Sequence, residues 1–162
     1  MTAHVVAFDN PDPVQLALAA AAQAEGATVA MDGTLLRISY PDPRPLDVQK
    51  ADVVAQLANR RWLASQTCTW RGAAAPADPQ AGTNVLGAIV GLQLANESGP
   101  IAWKFDAGFQ DLMLADLIDL GQTMRAQVQA CFVNEARIAA MIAAAADADA
   151  LDAIDIGAGW PS

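Results

Sequence analysis

Histidine occurs once in 162 residues, at position 4, and cysteine twice, at 68 and 131. Acid–base catalysis needs a titrating group held within reach of substrate, and a lone His at the start of an apparent strand offers little of that. A Cys–His dyad would have to bring His4 to Cys68 or Cys131, both in patterns that read as core. The chain has no G-x-S-x-G elbow, no P-loop and no G-x-G-x-x-G fingerprint. An enzyme is therefore not expected, and neither is a cofactor. The acidic run Asp147, Asp149, Asp152 and Asp155 resembles a calcium loop only superficially. Counted from Asp147, positions 6 and 12 hold Asp152 and Ala158, where an EF-hand needs Gly and a carboxylate. No metal site is expected.

Basic residues are also scarce. Nine Lys and Arg against eighteen Asp and Glu give a net charge of −9, which repels phosphate backbones and anionic lipid surfaces. Nucleic acid is not an expected partner. The longest apolar run, 85–95, falls far short of the roughly 20 residues of a membrane span. The opening MTAHVVAFDNPDP has no basic n-region, so a signal peptide is not expected either. The two cysteines read as buried thiols of a cytosol-made protein, a single bridge being the alternative. Aromatics make up only 6% of the chain, whereas hydrophobic residues, many of them Ala, make up 54%. Ala favours helix and buries little area, so the expectation is a helix-dominated α+β chain in which each Trp and Phe carries a large share of the core.

Residues 1–40 read as a small β-α-β-β unit. His4–Phe8 is a strand, Asp12-Pro13 caps and starts a helix over 13–25, and Asp32-Gly33 turns a hairpin. Pro41-Asp42-Pro43-Arg44-Pro45 is a stiff linker, dividing a docking unit (1–46) from a mainly helical domain (47–162). In the second part a helix is expected over 47–66, with Val53, Val54, Leu57, Arg61 and Trp62 on its apolar side, and a short strand over 67–71. A patternless loop covers 73–82. Another helix covers 83–96, facing inward with Leu86, Ile89, Val90, Gln93 and Leu94. A hairpin of Ile101–Phe105 and Phe109–Leu112 turns at Asp106-Ala107-Gly108, and a helix of about 30 residues follows over 114–145.

Two sets of residues are candidates for special roles. Trp103, Phe105, Gly108 and Phe109 of the hairpin, with Trp62, Trp70 and Trp160, are expected to fill the junctions between elements. Ile101, Trp103 and Phe105 share one strand face, and Phe109 is expected to cover it from the returning strand. On the long helix Leu117, Met124, Cys131 and Ile138 fall on heptad position a, and Leu120, Gln127 and Asn134 on d. This is either a register-fixing interface between helices of several copies or the buried side of an ordinary amphipathic helix following Val128, Phe132 and Ile142.

The order of parts carries a resemblance. RRW (60–62), TWRG (69–72), WKFDAGF (103–109), VQACFVNEARIAAMI (128–142) and IDIGAGWP (154–161) resemble, over about residues 47–161, the domain-of-unknown-function 4376 family of tail-associated proteins of tailed bacteriophages. The resemblance implies a virion tail location after synthesis in the host cytoplasm, with other tail proteins as partners. On that basis the expected function is a non-enzymatic structural or adaptor component of fibre, tip or collar. It would act by self-association, as a homo-oligomer with a trimer favoured, and by docking to its neighbours. A tail-fibre assembly chaperone and a glycan- or receptor-binding module built on the tryptophans are the alternatives.

Overall fold

The computed structural model describes residues 4–40, 42–105 and 108–161. The chain is α+β and dominated by helix. Its elements are β1 (His4–Asp9), α1 (Pro13–Ala24), β2 (Thr28–Asp32), β3 (Leu35–Tyr40), α2 (Leu46–Ala64), β4 (Thr67–Trp70), β5 (Ala73–Pro76), α3 (Pro79–Ala95), β6 (Ile101–Phe105), β7 (Gly108–Leu112), α4 (Leu114–Ala144) and α5 (Ala148–Asp152). Two compact units divide it, Met1–Ala55 with Ala140–Asp155, and Gln56–Ala139 with Ile156–Ser162.

In the first unit β1, β3 and β2 form an antiparallel sheet in that order. The β2–β3 loop is Gly33-Thr34 and not the expected Asp32-Gly33, because Asp32 already pairs with Leu35 and only Gly33 takes positive φ. Helix α1 starts as its sequence dictates. The Asp12 carboxylate accepts from the Gln15 amide, the Gln15 side chain accepts from the Asp12 amide, and Pro13 occupies the first turn. It buries its small side, Ala19 and Ala22, against Leu36 and Ile38.

The proline segment is more than a spacer. Asp42 is buried, and its carboxylate accepts from the Arg44 amide at 3.0 Å and from the guanidinium at 2.6–3.0 Å. Arg44 also pairs with Asp52 on α2. The buried Gln49 side chain donates to the carbonyls of Asp42 and Arg44. These side chains knit 42–45 onto the first turns of α2, and from the same turns Lys50 Nζ donates to the Ala143 carbonyl of α4 at 2.9 Å. The Arg44 hydrogen bonds hold the Asp42 carboxyl down to about 2 from an ordinary 3.8. A depressed folded-state pKa contributes stability above the ordinary value and loses it as pH falls toward the folded one. Asp42→Asn is accordingly expected to lower the denaturation midpoint at neutral pH, with the gap from wild type closing between about pH 4 and pH 2. A gap that stays constant to acid would disprove the pairing.

The second unit holds the hairpins β4–β5 and β6–β7, each antiparallel. The turn Arg71-Gly72 takes positive φ at both residues (51° and 79°), the conformation of a tight two-residue hairpin. The expected loop over 73–82 is in fact strand β5 followed by the first turn of α3. Asp78 accepts from the Gln80 and Ala81 amides and Pro79 opens the helix, so α3 starts four residues before Thr83. The core gathers Cys68, Trp70, Val85, Leu92, Phe105, Leu112, Leu117, Leu120 and Met124. Both cysteines are buried free thiols, and burial raises their pKa.

Candidate functional site

The first assembly around the hairpins is a stack. Trp70 lies against Phe105 with centroids 5.7 Å apart and planes 15° from parallel. The Arg71 guanidinium covers the Trp70 ring at 4.4 Å, and the indole N–H donates to Asp119 Oδ2 at 2.8 Å. Arg71 also pairs with Asp116 at 2.6 Å, and Asp116 accepts from the Met113 amide at the start of α4. The Met113 amide first, and Arg71 second, hold the Asp116 carboxyl below the usual range. Ile101 and Trp103, half-buried, join Phe105, Leu114 and Leu117 in the same cluster, so the hairpin does clamp the beginning of α4.

Phe109 does not take part. The expected three-residue turn is one residue too long: Phe105 pairs with Gly108, which opens β7 at φ +124°, and Lys104 therefore faces Phe109. A shift of one residue moves a side chain to the opposite face. Phe109 is 73% exposed, with the Lys104 ammonium 6.0 Å from its ring. Asp106 and Ala107 lie outside the described residues. Trp62 is likewise not core but 50% exposed, whereas Trp160 is half-buried and donates to the Ile156 carbonyl at 2.9 Å.

On α4 the heptad count gives the burial well. Leu117, Leu120, Met124, Gln127, Cys131, Asn134 and Ile138 are all buried within the chain itself. They are therefore not an open seam for other copies, which corrects the interface reading. After Ile138 the buried row steps by four to Ile142, and Phe132 and Val133 face outward. The two polar d residues are satisfied by backbone. Gln127 Nε2 donates to the carbonyls of Ala64 and Pro161 at 3.1 and 3.2 Å, and Asn134 Nδ2 donates to the Ala158 carbonyl at 3.0 Å. Asn134 Oδ1 accepts from Arg137. The C-terminal Gly-Trp-Pro strap is thus moored on α4 by the helix's own amides. Gly159 passes so close, at φ +77°, that a Cβ there would lie 2.8 Å from Asn134 Oδ1.

A groove of about 830 Å³ opens beside α3 and α4. Its walls are Ile89 and Leu86 of α3, Ile118, Val128 and Phe132 of α4, and Trp62 at the end of α2. Gly121 lets α3 approach: a Cβ there would sit 3.3 Å from Val85 Cγ1. At the rim Arg61 lies over Phe132 at 4.9 Å and reaches Glu135 at 3.4 Å. Arg125 forms no ion pair among the described residues. Ser65 and Gln66 turn their donors to the Trp62 carbonyl, so the walls present hydrocarbon and aromatic surface. That chemistry suits apolar side chains of a macromolecule.

Sequence reasoning missed the groove because it put the wrong face of α3 inside. Val85 and Leu92 are buried, while Leu86, Val90 and Leu94 stand 61%, 43% and 83% exposed. The helix is apolar nearly all round, so periodicity does not select a face; the close approach at Gly121 does. Among the described residues no group of three His, Cys, Asp or Glu could hold a metal, and no helix is long and apolar enough to cross a membrane. The family described as a domain of unknown function (DUF4376) matches residues 48–156. No curated protein and no solved structure matches the chain.

Proposed function

This chain belongs to the DUF4376 family, and from that premise we propose that it is a non-enzymatic structural adaptor of a bacteriophage tail, self-associating and docking neighbouring tail proteins. The observation that carries this reading is the apolar groove beside an exposed, uncharged helix face, a surface suited to protein contact. The motif order from RRW to GWP supports the tail location. The buried cysteines support a non-catalytic role, since their raised pKa keeps them as thiols and not as nucleophilic thiolates.

The test is quantitative mass spectrometry of purified particles of the phage or prophage that encodes the chain. A constant ratio to other tail proteins through salt washing is expected. Abundance in lysate with absence from particles would sink the structural reading in favour of an assembly chaperone. Trp62→Ser is expected to leave the melting temperature nearly unchanged, as partly exposed positions usually do, while cutting incorporation about tenfold or more. A glycan platform gains no support from the tryptophans, because only Trp62 exposes half its surface. On the same reading residues 1–46 are a second docking unit. Residues 47–162 expressed alone are expected to melt cooperatively, and a fragment without a thermal transition counts against that boundary.

A further inference from the structure

The groove of the second unit holds one charge that no carboxylate answers among the described residues. Helix α4 lines it from Ile118 to Phe132, about four turns or roughly 21 Å of helix. Arg125 stands halfway, seven residues from each end. The other charged residues of the walls are Arg61 and Asp78. The Asp78 carboxylate accepts from the Gln80 and Ala81 amides, and Arg61 faces Glu135. Arg125 has no such partner. Gln122 and Gln129, one turn to either side of it, also line the groove and set amide donors beside the guanidinium. The α4 wall is thus apolar at both ends and cationic in the middle.

That order of chemistry selects the occupant. Whatever covers the groove covers Arg125 as well and takes water from its guanidinium. An unpaired charge under an apolar cover is costly, whereas a carboxylate in the cover replaces the lost water with a charge-assisted hydrogen bond. An uncharged or basic segment is disfavoured and an acidic one is matched. The middle position decides shape as well. A fatty acid with its carboxylate on Arg125 leaves one half of the groove empty. A helix instead carries apolar side chains on both sides of an acid, at the three- and four-residue steps of Ile118, Gly121, Arg125, Val128 and Phe132. On the α3 side there is room for it. Gly82 lines the groove, and a Cβ there would meet nothing within 4 Å, although glycine inside a helix is unfavourable. We propose that the groove receives one amphipathic helix of another protein, whose apolar row packs on Trp62, Leu86, Val128 and Phe132 and whose mid-row Asp or Glu pairs with Arg125. This rests on the docking part of the proposed function and gives the docked neighbour its chemistry.

Fluorescence anisotropy with the purified full chain is the test, and its probes are two labelled synthetic helices of about 18 residues, or five turns. Both carry Leu at three- and four-residue steps; one has Glu in the middle of that row and the other Lys. The Glu peptide is expected to bind about tenfold more tightly or better. Arg125 is exposed, so its replacement is expected to leave the melting temperature nearly unchanged. Arg125→Gln is expected to abolish the preference and Arg125→Glu to reverse it. Gly82→Leu fills the groove without adding charge and is expected to weaken both peptides about tenfold. Val14→Ser, on the exposed side of α1, is expected to change neither. Equal affinity for the two peptides, a preference for Lys, or binding of neither overturns the proposal. So does displacement of the Glu peptide by an equal concentration of dodecanoate, which makes the groove an acyl-chain site. A chain that dimerises alone, and loses the dimer on Gly82→Leu, makes a second copy the occupant and overturns it as well. Absence of the chain from virions with the peptide preference intact would defeat the tail-component reading alone.

Discussion

Trp70→Ala is expected to destabilise the chain by about 3–5 kcal/mol, the usual range for truncating a large buried aromatic, seen as a drop of roughly 10 °C in melting temperature. The reasons accumulate on one side chain. Trp70 is buried against Phe105, is covered by Arg71, and satisfies Asp119 through its indole N–H. Removing it opens a cavity, strips the stacking partner from Phe105 and leaves Arg71 to be held by its carboxylates alone. Trp70→Phe keeps the stacking and loses the hydrogen bond, so it should fall between wild type and Ala. The β6–β7 register grades the neighbours: Trp103→Ala, half-buried, costs less than Trp70→Ala, and Phe109→Ala stays within about 0.5 kcal/mol. Thermal or denaturant unfolding of the series checks the order. A larger loss at Phe109 than at Trp70 would mean that the hairpin pairs differently.

The second large effect is expected at the strap. Deleting residues 156–162 leaves the amides of Gln127 and Asn134 buried without their carbonyl partners at Pro161 and Ala158. Gln127 keeps the Ala64 carbonyl, so the orphaned group is the Asn134 amide, and an unpaired buried polar group costs about 1–3 kcal/mol. Gly159→Val should act in the same direction by forcing a side chain against Asn134 and into a backbone region it rarely adopts. The diagnostic step is a rescue. In the truncated chain, Asn134→Leu removes the orphaned group and should recover part of the loss, whereas in the full chain the same substitution should destabilise. Equal effects in both backgrounds, measured as a double-mutant cycle in denaturant, would show that strap and amides do not communicate.

Legibility followed the range of the interactions. Local chemistry was readable: Asp12-Pro13 as a helix start, the Gly33 hairpin, the strand pair around Trp103 and Phe105, and the long helix to within a residue at its end. The start of α3 was equally local, since Asp78-Pro79 repeats the signature of Asp12-Pro13, but the Ala- and Pro-rich surroundings of 73–82 obscured it. Phe109 hinged on a single residue of loop length, which reverses a face and leaves composition untouched. The partners of Gln127 and Asn134 lie 24 to 63 residues away, so the sequence shows two polar interruptions of an apolar stripe and nothing of the carbonyls that answer them. The groove is the least legible feature, because it depends on how closely α3 approaches Gly121.

The two buried thiols give this molecule its own clock. Cys68 on β4 and Cys131 on α4 both belong to the second unit, and both are shielded from solvent. An alkylating reagent reaches a shielded sulfur only when the surrounding structure opens, so the labelling rate measures the free energy of that opening. The two sulfurs sit on different elements, a four-residue strand and a 31-residue helix. Labelling them separately would tell whether the hairpin frays on its own or lets go only with the helix, with no foreign probe introduced.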